Sequence, residues 1–121
     1  MVEGEPGAPR VLVNSQQLPA QPPRGAVWSI SELERDLDSN LIRLPPGERI
    51  DLHTGAEVDV LIHVVTGSGT LLLPEAEQPL QPGDVALLPR RSRRGFRAGA
   101  EGLEYLTVHR RRQSLQIRTR S

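Results

Sequence analysis

No cysteine occurs among the 121 residues, which excludes disulfides, a thiolate nucleophile and a cysteine-ligated zinc. Lysine is missing as well, so all 15 basic residues are arginines. One Trp, one Tyr and one Phe leave almost no rings on which nucleic-acid bases could stack. No helical pattern is long enough to enter a major groove, and nucleic acid is not an expected partner. No apolar run reaches 18 residues, the minimum for a bilayer-spanning helix. The opening "MVEGEPGAPR" is acidic and proline-rich where a secretory leader would be basic and then apolar. Cytoplasmic residence without a membrane partner is the expectation. Gly-x-Ser-x-Gly elbows, P-loops and dinucleotide fingerprints are also missing. Nucleophilic catalysis therefore has little to work with.

Charge is balanced overall but divided along the chain. Residues 1–89 carry five arginines against thirteen acidic residues, a net of −8, while residues 90–121 carry ten against two, a net of +8. The clusters "RRSRRGFR" (90–97) and "HRRR" (109–112) read either as solvated faces or as a patch for an anionic partner. The acidic stretch "ELERDLD" offers them a partner within the protein.

By length the chain is one domain. Residues 1–25 hold five prolines and three glycines, a composition that buries too little apolar area to offset its ordering entropy. They are expected to form a flexible segment with at most a short strand at "RVLVN". Ser31 and Glu34 in "SELERDL" form a capping-box pattern that predicts a short N-terminal helix over residues 31–37. From residue 40 onward short β runs are separated by turn signals: "NLIRL", "VDVLIHVV", "TLLL", "QPL", "DVALL", "LEYLTVH" and "SLQIR". Many short strands with Gly and Pro turns predict an all-β sandwich or barrel over residues 26–121.

The spacing of particular residues resembles a known pattern. Gly47 is followed by five residues and His53, and Gly67 closes that stretch; Gly83-Asp84 is followed by Pro89 and then Arg94. With the phrases "LPPGERIDLH", "DVLIHVVTGSGTL" and "LQPGDVALLP", this resembles a small single-domain cupin of the cupin-2 type. The resemblance implies a double-stranded β-helix, the RmlC-like jelly-roll barrel, and it covers about residues 40–108. It also implies a metal held by four side chains inside the barrel. The first ligand position falls on His53, the second on Gly55, the glutamate position on Val60 and the last histidine position on Arg94.

Three of those four positions lack a usable donor. One imidazole cannot hold a divalent ion against water, and Arg94 has no lone pair and stays charged. No metal or other cofactor is expected. Rearranged sites would have to bring in Asp59 through a bulge, Glu57 from the loop, or His63 and His109 beside His53. His63 is out of phase with Val60 and should face outward, and His109 ends a strand.

Small residues where bulky ligands would stand leave room. His53, Gly55, Val60, Arg94 and Phe96 are expected either to line a pocket for a small polar or anionic molecule or to form an inert wall. Three functions follow. The first is a metal-free binding or accessory protein. The second is an atypical cupin enzyme, either of the isomerase or epimerase kind with His53 as base and Tyr105 as acid, or metal-dependent with rearranged ligands. The third is a regulatory or structural interaction module. A homodimer paired through exposed edge strands is the expected assembly.

Overall fold

The computed structural model describes residues 7–112. Seven strands follow in order: β1 (Gly25–Ser29), β2 (Leu37–Leu44), β3 (Arg49–Thr54), β4 (Val60–Leu73), β5 (Ala76–Leu80), β6 (Val85–Leu88) and β7 (Arg93–Arg110). All pairings are antiparallel. No described helix is long and apolar enough to cross a membrane.

Two long strands organise the rest. β4 and β7 pair with each other from Leu61↔Val108 to Leu72↔Gly95, with register shifts between Val64 and Thr66 and between Gly67 and Gly69. Their outer partners change across those shifts. On one side the order is β1-β2-β7-β4-β6; on the other β3 pairs β7 and β5 pairs β4. Switching partners at a bulge is how a long strand serves two packed sheets. Glycine is required at the crossing: Gly67 has φ +80, and a Cβ there would strike the carbonyl oxygen of Gly102.

"VDVLIHVV" and "TLLL" are therefore one strand, and Thr66-Gly67-Ser68-Gly69 is a bulged crossing where a turn was expected. A lone Gly-rich tetrapeptide fits either a hairpin or a bulge, and pairing with β7 decides it. Pro79 lies in β5, paired with Thr70, and is tolerated there because β5 has a neighbour on one side only. "SLQIR" lies outside the described residues.

Side chains alternate along β4, so Val60, Ile62 and Val64 point inward. There they meet Leu44, Leu88, Phe96, Leu103 and Tyr105 in one apolar core. The Phe96 and Tyr105 rings stack with centroids 4.6 Å apart and planes 18° from parallel.

Two local expectations fail. Residues 31–36 form bends, not a helix; the one helical turn described is the 3-10 turn Ser15–Gln17, capped by Asn14. Seven residues are too few to nucleate a helix without packing support. Here Arg35 instead binds the Glu32 carbonyl and the Asp38 carboxylate, at 2.6 and 2.8 Å. "RVLVN" forms no strand, and Val11 is 88% exposed. The segment before β1 is held by a polar clamp: Arg43 Nη1 donates to the carbonyls of Pro19, Ala20 and Pro22 at 3.0, 3.0 and 2.9 Å. Its Nε is fixed by Glu104 at 2.6 Å.

Arg43→Met should speed amide exchange and protease cleavage before residue 25 while leaving the β4 and β7 amides protected. Unchanged exchange before residue 25 would show that the clamp holds nothing.

Candidate functional site

The second motif turns at Pro89–Ser92, where Ser92 N donates to Pro89 O at 3.0 Å. Arg91 holds that turn with φ 58, and is the only non-glycine with positive φ among the described residues. It occupies the position where the cupin pattern Pro-x-Gly has glycine, a signal present in the sequence spacing but not used there. From Arg93 the chain enters β7, and alternation turns Arg94, Phe96 and Ala98 toward the interior.

Arg94 is only 6% exposed. Its guanidinium lies directly over Gly55, where a Cβ would collide with it. Gly55 is kept in place by its N–H, which donates to Ser92 O at 2.9 Å. Nη1 of Arg94 donates to Pro89 O at 3.2 Å, to Ser92 O at 3.4 Å and to Ser92 Oγ at 2.9 Å. No acceptor for its Nε or Nη2 and no carboxylate partner is present among the described residues. Burial pulls its ionisation below the ordinary arginine value, yet a guanidinium stays charged near neutral pH. The nearby Tyr105 is 4% exposed; burial pushes its phenol well above the ordinary value, and the Arg94 charge offsets part of that rise. The phenol also has no described hydrogen-bond partner.

The expected residues are distributed unevenly. Val60 and Phe96 belong to the core, and Gly55 and Arg94 are in contact. His53 stands opposite Arg94 in the β3–β7 register, past a register shift that begins at Ile50. Its ring is exposed, with Nδ1 2.9 Å from Asp51 O. Asp59 is exposed and accepts from Arg90 N at 2.8 Å; Glu57 faces Arg91 at 3.5 Å. His63 is exposed on the face opposite Val60. His109 lies within hydrogen-bond distance of the Arg110 carbonyl oxygen, at 2.8 Å. Cavities of about 330, 180 and 480 Å³ open elsewhere on the surface, and none is lined by His53, Gly55, Val60, Arg94 or Phe96. Sequence reasoning missed Ser92, whose hydroxyl and carbonyl seat the guanidinium.

The residues at the cupin ligand positions do not fit a metal. Among the described residues no three His, Asp or Glu side chains come together to hold one. A fixed cation sits where the last ligand would be, and it would repel another cation.

The arginine-rich half finds partners in the acidic half: Arg90 with Asp59 at 3.9 Å, Arg91 with Glu57 at 3.5 Å and Arg97 with Glu77 at 3.1 Å. The carboxylates of "ELERDLD" pair with other arginines, Glu32 with Arg10 and Asp38 with Arg35, while Arg111 of "HRRR" reaches the backbone of that stretch, its Nη1 donating to Leu33 O at 2.7 Å and its N–H to Asp36 O at 2.8 Å.

No protein-family model matches the chain, and no curated protein is significantly similar to it. Solved structures are similar in shape. The cupin domain of Schizosaccharomyces pombe Cnp3 aligns at 13% identity and TM-score 0.62, covering 70% of this chain and 63% of that one. A cupin 2 conserved barrel domain protein from Rhodopseudomonas palustris aligns at 19% identity and TM-score 0.63, covering 70% and 59%. A sugar phosphate isomerase of the cupin superfamily from Silicibacter pomeroyi aligns at 28% identity and TM-score 0.58, covering 64% and 52%. The chain thus spans between about half and two thirds of those structures. The fold is a cupin barrel.

Two substitutions test this geometry. Gly55→Ala should cost about 1–3 kcal/mol by pushing the guanidinium aside; in an Arg94→Ala background that cost should vanish, as a denaturant double-mutant cycle would read. Arg91→Gly should raise stability by about 0.5–1 kcal/mol, since a left-handed non-glycine costs about 1–2 kcal/mol and glycine's looser unfolded state takes part of that back.

Proposed function

We propose that this cupin barrel is a metal-independent binding protein whose Arg94 recognises a small anionic or polar molecule at the end of the barrel where β3 meets β7. The observation that carries the reading is a buried guanidinium with no described carboxylate partner and two unengaged nitrogen groups. An uncompensated buried charge costs several kcal/mol, and a counter-charge is what offsets it. Nε and Nη2 of a guanidinium present parallel N–H donors that match a carboxylate or phosphate edge. Gly55 leaves room for the guanidinium, Ser92 and Pro89 fix its orientation, and Phe96 follows on the same inward face of β7. Val60 lines the same interior, and His53 stands at the rim as a second polar contact.

Binding is favoured over turnover. His53 is exposed and engaged with its own strand's backbone, while the Tyr105 phenol is buried and hard to ionise. No base therefore faces an acid across Arg94.

Thermal unfolding with millimolar phosphate, sulfate or acetate, against sodium chloride of equal ionic strength, tests the reading. A ligand at ten times its Kd should raise Tm by roughly 5–10 °C for a domain of this size. Arg94→Met should abolish that rise without lowering the basal Tm. Both carbonyls that Arg94 uses keep another donor, Pro89 O the Ser92 N–H and hydroxyl at 3.0 and 2.7 Å and Ser92 O the Gly55 N–H at 2.9 Å, and the Ser92 hydroxyl stays bonded by donating to Pro89 O. No shift with any of the three anions, or a shift that survives in Arg94→Met, would overturn the proposal.

A further inference from the structure

Among the described residues only two buried side chains carry polar atoms, Arg94 and Tyr105. Neither has its hydrogen-bonding capacity met. Native proteins pair nearly all their buried polar groups, so an unmet one calls for an explanation. Here two such groups share one interior. Arg94 and Phe96 point the same way from the start of β7, and the Tyr105 ring, brought from the other half of that strand, stacks on Phe96. From its seat the Arg94 charge acts on the phenol. The rest of the surroundings is hydrocarbon. Tyr105 is paired with Ile42 and Val64 in the ladder, and the core it joins is otherwise Leu, Ile, Val, Ala and Phe.

What is unmet is donors. Nε and Nη2 of Arg94 can only donate. Burial keeps the phenol protonated, and although its lone pairs can take an arginine hydrogen, its own hydrogen needs an acceptor. Neither Arg94 nor the apolar core supplies one. We infer that Tyr105 is the second recognition residue of the Arg94 site, its phenol donating to the anion that the guanidinium holds, and that the site takes small oxyanions and rejects neutral hydroxyl compounds. A carboxylate, phosphate or sulfate brings acceptor oxygens and no hydrogens. A sugar or polyol brings a hydrogen with every hydroxyl and finds no free acceptor there. The inference rests on the anion reading of Arg94 and narrows its ligand from anionic or polar to anionic. It also gives Tyr105 a role other than an epimerase acid, because the proton stays on the phenol throughout.

Tyr105→Phe removes one hydroxyl and keeps the stacked ring. In the ligand-free protein it should raise Tm by about 4–8 °C, because a buried hydroxyl without a partner is destabilising. With phosphate, sulfate or acetate it should weaken binding about 3- to 10-fold, read from Tm against anion concentration. A hydroxyl kept for a ligand gives these opposite signs, whereas a structural one would lower the ligand-free Tm. The chain holds one tyrosine, so carbon-13 labelling of the ring gives a single NMR line for Tyr105. That line should move with phosphate in the wild type and stay in place in Arg94→Met. Glucose at the same millimolar concentration should change neither Tm nor the line. Anion shifts that Arg94→Met abolishes but Tyr105→Phe leaves at full strength would overturn the inference and spare the reading of Arg94. A lowered ligand-free Tm in Tyr105→Phe, or a response to glucose, would overturn it equally. No anion shift in the wild type would sink both.

Discussion

The antiparallel ladder between β4 and β7 is the constraint on which the barrel depends. Every other strand except β1 hydrogen-bonds to one of these two, and β1 is reached through β2. The ladder tolerates its own length only because it slips register near Gly67, where the strand passes close to Gly102. Before that point the inward side chains of β4 and β7 form the apolar floor of the core. Beyond it, β3 meets the first part of β7 and the barrel end takes shape. Removing the slip would force two long strands into one flat ribbon, with nothing to close the second half.

The position of Arg94 follows from the same ladder. Its inward direction is set by strand phase, shared with Phe96 and Ala98. Its tolerance is set elsewhere, by the missing side chain at Gly55 and by the tight turn that brings Ser92 under it. Two departures from the family pattern, a glycine for a histidine and an arginine for a histidine, are thus one steric exchange. The space given up at residue 55 is the space the guanidinium fills.

Much of the barrel was legible in the sequence because period-two alternation and glycine spacing are properties of the backbone that survive substitution. Positions 47, 67 and 83 hold glycines with positive φ, and those anchors located the strands. What could not be read depended on partners distant in the chain. Thr66–Gly69 has turn chemistry, and only pairing with β7 makes it a crossing. Ser31 and Glu34 have capping chemistry, and only the absence of packing over so short a segment leaves it unused. At the site, the sequence identified which side chains were exchanged but not that Arg94 would be seated by backbone carbonyls, nor that a register slip after Ile50 would leave His53 exposed. The charge division was visible as a composition; its resolution into pairs with residues 57, 59 and 77 required the fold.

Trp28 carries a practical consequence. The sole indole of the chain sits half-buried on the outer face of the sheet, cross-strand from Leu41, whereas the stacked Phe96 and Tyr105 rings lie on the other side. Its emission wavelength and quenching therefore act as a built-in optical gauge of wetting on the face turned away from the apolar core. Events on the two sides of one sheet can be followed separately without attaching a label.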